Sequence, residues 1–194
     1  KYPFQEQLLI YAQRPDATAC ASIEVWNSRK LNCWVNKGAK GIALIDEENS
    51  YTRLKYVFDV SDVHKARRIG RDPYLWELKQ EQEQSVMKRL EHIYGETDAE
   101  KSFGDRLLEI AESVTNDCYE EVAEDLLYLT DGSFLDGLDE YSLKVHLRET
   151  LRASISYTLL TRCGLDAEDY QDSMNFDFIH EFNTVPVLSQ LGSN

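Results

Sequence analysis

Apolar residues recur at helical spacing from the start of the chain. Phe4, Leu8, Tyr11 and Ala12 lie on one stripe, and Arg14-Pro15-Asp16 closes it, because proline disfavours helix in the residue before it. The spacing predicts a helix over 4–13, and a second short helix over 17–30 that carries Ile23 and Trp26. The period then changes. Cys33, Val35 and the run 41–45 read as two strands, with Asn36-Lys37-Gly38-Ala39-Lys40 as the turn between them. A third strand is predicted over 52–60, rich in β-branched and aromatic residues, after the polar loop 46–50. Together these make a small antiparallel sheet packed on one or two helices.

Beyond Pro73 the pattern is helical almost throughout. One helix is predicted over 73–93, ended by Gly95. Phe103, Leu107, Ala111, Val114, Cys118, Val122, Leu126 and Leu129 step by three and four, a stripe that Asn116 is placed to interrupt and Asp131-Gly132-Ser133 ends. Leu143, Leu147, Leu151, Ile155 and Leu159 form another stripe, with Gly164 as its C-cap, and a final short helix falls within 176–182 or 187–191. The fold class is therefore α+β: an N-terminal α+β domain over 1–72, then a mainly helical subdomain over 73–194. No repeat or low-complexity segment appears.

Charge divides the chain at the same place. The 194 residues carry a formal charge of −14. Residues 1–72 hold 12 Lys and Arg against 9 Asp and Glu, whereas residues 73–194 hold 9 against 26. The first segment is mildly basic at +3 and the second strongly acidic at −17, which points to two unlike surfaces. With 42% hydrophobic and 11% aromatic residues the chain is no disordered acidic tail. Mean hydropathy is −0.49, and no stretch approaches the roughly 18–20 apolar residues that a membrane helix needs. No basic-then-apolar leader is present, and a start at Lys1 reads as a segment of a longer protein. The expected location is the cytoplasm, with no membrane partner.

Catalytic and metal motifs are sparse. Cys20, Cys33, Cys118 and Cys163 form no C-x-x-C pair, and His64, His92, His146 and His180 include no pair at i, i+4. His180-Glu181 begins H-E-x-x-H, but residue 184 is Thr. There is no G-x-S-x-G elbow, P-loop or G-x-G-x-x-G. Carboxylates such as Glu109 and Glu112, or Glu120, Glu121 and Glu124, share helix faces, as solvated faces ordinarily do. The expectation is no catalytic residue, no metal and no cofactor.

Two cationic features stand out. Lys37 and Lys40 flank glycines in the predicted turn beside Trp34, where cations and backbone N–H groups could meet a phosphate. Lys65, Arg67, Arg68 and Arg71 place four basic residues in seven. Taken alone, each feature is more often a solvated turn, face or linker than a binding site. They share their segment with Arg14, Arg29, Lys30, Arg53 and Lys55, and with Trp26, Trp34, Tyr51 and Tyr56. Cationic grooves with aromatic platforms bind single-stranded nucleic acid, each stacked base contributing about 1–3 kcal/mol. Trp26 and Tyr56 are equally readable as core residues.

Gln7-Leu8-Leu9-Ile10, Ala12-Gln13-Arg14-Pro15-Asp16-Ala17-Thr18, Trp26, Val35-Asn36-Lys37-Gly38-Ala39-Lys40-Gly41-Ile42 and Val57-Phe58-Asp59-Val60-Ser61-Asp62 follow one another with a familiar order and spacing. Over about residues 1–70 the chain resembles the N-terminal domain of the antirestriction protein family ArdC, which also heads very large polyvalent proteins of bacterial conjugative elements. The resemblance implies a single-stranded DNA-binding domain whose surface is the Trp, the lysines of the K-G-x-K-G turn and neighbouring basic residues. The expected DNA-binding set is Arg14, Trp26, Arg29, Lys30, Trp34, Lys37, Lys40, Arg53, Lys55, Lys65, Arg67 and Arg68. The expected partners are single-stranded DNA, other domains of the parent protein, and restriction or conjugation proteins.

In ArdC a zinc metallopeptidase follows, with H-E-x-x-H on a helix. The stretch 147–166 resembles a later helix of that domain, but H-E-x-x-H is missing here. The resemblance thus implies a degenerate, metal-free zincin-like subdomain, non-enzymatic and kept as scaffold or partner surface. Two other readings stay open: an acidic protein-interaction or antirestriction module that ignores DNA, and a metallopeptidase-like enzyme with an unrecognised site.

Overall fold

The computed structural model describes residues 2–46, 53–65 and 77–193. The chain divides into two compact units, Lys1–Trp76 and Glu77–Asn194. The fold is α+β, with small antiparallel sheets in the first unit and helices throughout the second.

The first unit runs α1 (Phe4–Gln13), β1 (Cys20–Ala21), α2 (Ile23–Trp26), β2 (Cys33–Val35), β3 (Ile42–Asp46), β4 (Arg53–Asp59), a single 3-10 turn (Val60–Asp62) and β5 (Val63–Lys65). The strands form two sheets: a three-stranded one in the order β1-β4-β3, and a two-stranded ribbon of β2 with β5. The predicted hairpin at 36–40 is thus not one. β2 pairs with β5, some thirty residues on, and the true hairpin joins β3 to β4. The predicted helix over 17–30 shrinks to one turn, because residues 20–21 pair with β4 instead.

Alternation along β4 sends Val57 to one side and Phe58 to the other. Val57, Ile42 and Leu44 pack against Leu9 and Ile10 of α1. Phe58 packs with Trp26, Cys33, Val35 and Val63, so the inner face of the ribbon meets the second face of the sheet. The face of α1 turned to the sheet is not the predicted stripe, since Tyr11 is 66% exposed and Ala12 is exposed too. Two polar residues share the sheet-facing side with Leu9 and Ile10. Glu6 pairs with Lys55 at 2.7 Å. Gln13 exchanges two hydrogen bonds with the backbone of Ala43, at 2.8 and 2.9 Å, and so extends the ladder at the outer edge of β3.

One buried carboxylate ties this unit together. Asp59, at the end of β4, is 2% exposed. One oxygen accepts from Thr18 N at 2.8 Å and Ala19 N at 2.9 Å; the other accepts from Ser61 N at 3.0 Å and Ser61 Oγ at 2.8 Å. Burial alone would push this carboxyl up, but these N–H and hydroxyl donors outweigh it and hold the pKa at about 2, below the usual 3.8.

The second unit holds α3 (Gln80–Tyr94), α4 (Phe103–Leu126), α5 (Glu140–Arg162), 3-10 turns at Ala167–Ser173 and Ile179–Glu181, and α6 (Val185–Ser193). Residues 77–79 are not helical, so α3 starts later than predicted, and 73–76 lie outside the described residues. Helix α4 continues through Asn116, whose Oδ1 accepts from Arg148 Nη2 at 2.9 Å. Ser102 and Asp139 cap α4 and α5 by accepting backbone N–H groups of their first turns. Gly164, at φ +76, follows α5. Met87, Leu107, Ile110 and Leu160 form one core; Val122, Leu126, Leu147, Leu151 and Phe182 belong to a second. Tyr170 lies over Gly104 of α4, and a Cβ there would stand 2.0 Å from its hydroxyl oxygen and 2.3 Å from Cζ.

Asp59 stabilises the fold fully above its unfolded pKa near 3.8, and that contribution, about 2 kcal/mol, disappears as pH falls toward 2. Asp59→Asn should cost a similar amount at pH 7, because its NH2 must face donors, and amide exchange at Thr18 and Ala19 should quicken while α4 amides keep their protection. Gly104→Ala should lower the stability of the second unit by about 1–3 kcal/mol, read by denaturant unfolding, as Tyr170 is forced aside.

Candidate nucleic-acid interface

The β2–β5 ribbon opposes Cys33 to Lys65, Trp34 to His64 and Val35 to Val63. Directly opposed residues of an antiparallel pair share a face. Cys33 is 1% exposed and Val35 and Val63 pack with Trp26 and Phe58, so Trp34 and His64 fall together on the outer face. Trp34 is 51% exposed and His64 is exposed beside it. His64 Nδ1 lies 2.6 Å from Asn36 Oδ1, which fixes the ring next to the end of β2.

Cations stand beyond both ends of β2. At the Val35 end, Asn36 N donates to Asp62 O at 2.8 Å and Ala39 N donates to Asn36 O at 3.0 Å, closing a turn around Gly38. Gly38 has φ +89, a conformation costly for residues with a side chain. Lys37 and Lys40 flank it, both exposed. At the Cys33 end, Asn32 takes φ 49 and its N–H donates to Ser28 O at 2.7 Å, leaving Arg29 and Lys30 exposed on the bend. Among the described residues, no carboxylate pairs with Arg29, Lys30, Lys37 or Lys40. Two aromatic rings flanked by four exposed cations can stack bases and attract phosphates.

The remaining expected site residues lie elsewhere. Arg14 is a structural cation: its guanidinium binds the Asp62 carboxylate and donates to Ser61 Oγ at 2.8 Å. Trp26 is 3% exposed and its Nε1 donates to Phe58 O at 2.9 Å, so no base can stack on it. Lys55 pairs with Glu6. Arg53 is exposed, in register with Asp46, on the sheet face that carries Lys55 and Val57 and away from the ribbon. Lys65 is exposed at the end of β5, on the ribbon face opposite Trp34. Arg67 and Arg68 lie outside the described residues. Of the expected set, Trp34, Lys37, Lys40, Arg29 and Lys30 thus come together at the ribbon, joined by His64, which composition did not single out. Alternation along Val63-His64-Lys65 is the signal that could have found it. Tyr56, readable as core, is 51% exposed on the free part of the sheet face with Leu54 and Ile45.

Among the described residues no three His, Cys, Asp or Glu side chains are grouped to hold a metal ion, and no helix is long and apolar enough to cross a membrane. His180 and Glu181, the start of the incomplete metal motif, are engaged separately. His180 meets Phe134 edge-on, and Glu181 Oε2 lies 2.6 Å from Nδ1 of His146, whose ring stacks on Phe178. Compared with known proteins, the chain matches no family model, no curated protein and no solved structure.

Trp26 and Trp34 should separate by solvent access. Replacing Trp34 by Phe should remove a long-wavelength, iodide-quenchable part of the emission, whereas Trp26→Phe should remove a short-wavelength, protected part. Equal quenching of both would contradict this placement.

Proposed function

We propose that the first unit binds single-stranded DNA on the outer face of the β2–β5 ribbon. The observation that carries this reading is the exposed Trp34–His64 pair, with Arg29 and Lys30 at one end and Lys37 and Lys40 at the other, none of them paired with a carboxylate among the described residues. Bases stack on the rings while the cations meet phosphates. The resemblance to the ArdC N-terminal domain supports the same ligand and suggests a setting: a cytoplasmic bacterial protein of a conjugative or other mobile element, protecting or handling the transferred strand. In this reading the unit acts by binding rather than catalysis. Arg14, Trp26 and Lys55 are left out of the binding set, and Arg53 and Lys65 are peripheral.

Titrating the chain with a labelled oligonucleotide at about 50 mM salt tests the proposal. Affinity should fall with salt by roughly 0.7 log units per log unit for each phosphate neutralised. Trp34→Ala should weaken binding by about 1–3 kcal/mol. Replacing Lys37 and Lys40 by Ala should make the salt slope shallower by about 1.4 if each meets one phosphate. Absence of detectable binding would refute the reading, as would a doubly substituted protein that keeps the parent slope and affinity.

A further inference from the structure

The second unit contains a cavity of about 380 Å³ where the end of α5 meets the Ala167–Ser173 turn. Tyr157 and Phe176 give it aromatic walls; their rings stand at 82° with centroids 6.2 Å apart. Leu165 and Met174, which also pack on the Met87–Leu160 core, add apolar lining, and Asp166 and Glu168 supply carboxylates. Asp166 Oδ1 accepts from the Glu168 backbone N–H at 3.0 Å, and among the described residues neither carboxylate has a cationic partner.

This cavity differs from the others described. The one beside α1 is lined by Arg14, and the one between α4 and α5 by Lys101 and Arg152, each already held by carboxylates. Among the described residues no Lys or Arg lines the cavity at the end of α5. Two aromatic rings, two carboxylates and a unit whose charge is −17 give the cavity a negative potential, opposed by Arg162 in the last turn of α5. Carboxylates alone would suit any cation. Perpendicular rings and apolar lining select a flat, weakly hydrated one on a methylene stem, which describes arginine better than lysine.

We propose that this cavity binds an arginine side chain presented by a basic protein segment. The guanidinium stacks on Tyr157 or Phe176 and forks toward Glu168 or Asp166, while its stem lies along Leu165 and Met174. The acidic surface of the unit speeds the encounter without supplying the selectivity.

The test uses the whole chain and a labelled twelve-residue peptide of alternating Arg and Gly at about 150 mM salt, read by fluorescence anisotropy. Peptides with Lys or citrulline in place of Arg are the comparators. The Arg peptide should bind more tightly than the Lys peptide, and the citrulline peptide should not bind. Tyr157→Ala and Glu168→Gln should each weaken binding about fivefold to thirtyfold. A control replacing Glu120, Glu121 and Glu124 on α4 by Gln should stay within twofold. If Tyr157→Ala unfolds the unit by circular dichroism, the exposed Glu168→Gln carries the test alone. Equal affinity for Arg and Lys peptides, or an α4 control as damaging as the cavity variants, overturns the proposal in favour of general charge attraction.

Discussion

The first unit depends on one carboxylate. The two oxygens of Asp59 take four donors from both sides of the sheet's end: the backbone of Thr18 and Ala19 just before β1, and Ser61 in the turn leading to β5. The adjoining bonds extend the arrangement. Val60 N donates to Ala19 O, Asp62 accepts from Arg14 at the end of α1, and Asp62 O receives the N–H of Asn36. Helix, sheet edge and ribbon are therefore connected through residues 59–62. The outer face of the ribbon, with Trp34 and His64, is held in place by a network that takes no part in its surface. A buried anion with all its acceptor sites occupied is costly to disturb from any direction.

This network also explains part of the motif that carries the resemblance. Arg14-Pro15-Asp16-Ala17-Thr18 and Val57-Phe58-Asp59-Val60-Ser61-Asp62 are some forty residues apart, yet they supply partners to each other. Arg14 read as a DNA-contacting cation because charge is visible in a sequence while its partner is not. The same blindness affected α1. The predicted stripe named only apolar residues, yet Glu6 and Gln13 also face the sheet, because Lys55 and the open edge at Ala43 give them partners there. A polar residue with a protein partner is indistinguishable, by hydropathy alone, from one in water.

Legibility followed element length. Helices α4 and α5, of 24 and 23 residues, repeat their stripe often enough to be read, and Gly95 and Gly164 mark ends as expected. Strands of two or three residues offer one alternation at most. Their pairing is decided by tertiary contacts, here the burial of Cys33, Val35 and Val63 against Phe58 and Trp26. Hence β5 was hidden at the start of an apparent basic linker, and β2 was paired with the wrong neighbour. The site was legible in the same proportion: Trp34 and the flanking lysines stand out by composition, but His64 joins them only through that unforeseen pairing.

Net charge carries less information than the pairing of charges. In the first unit Arg14 and Lys55 are occupied by Asp62 and Glu6, whereas among the described residues no carboxylate pairs with the ribbon's Arg29, Lys30, Lys37 and Lys40. In the second unit five cations are similarly occupied: Arg106 by Glu91, Lys101 by Glu109, Arg148 by Glu112, Arg152 by Glu149 and Lys144 by Glu140. Close pairs cancel each other's field at a distance, so what solvent meets is the unpaired remainder. That remainder includes cations at the ribbon in one unit and carboxylates such as Asp166 and Glu168 in the other. A whole-chain charge of −14 therefore excludes neither a polyanion nor a polycation as ligand, because it averages two residual fields of opposite sign.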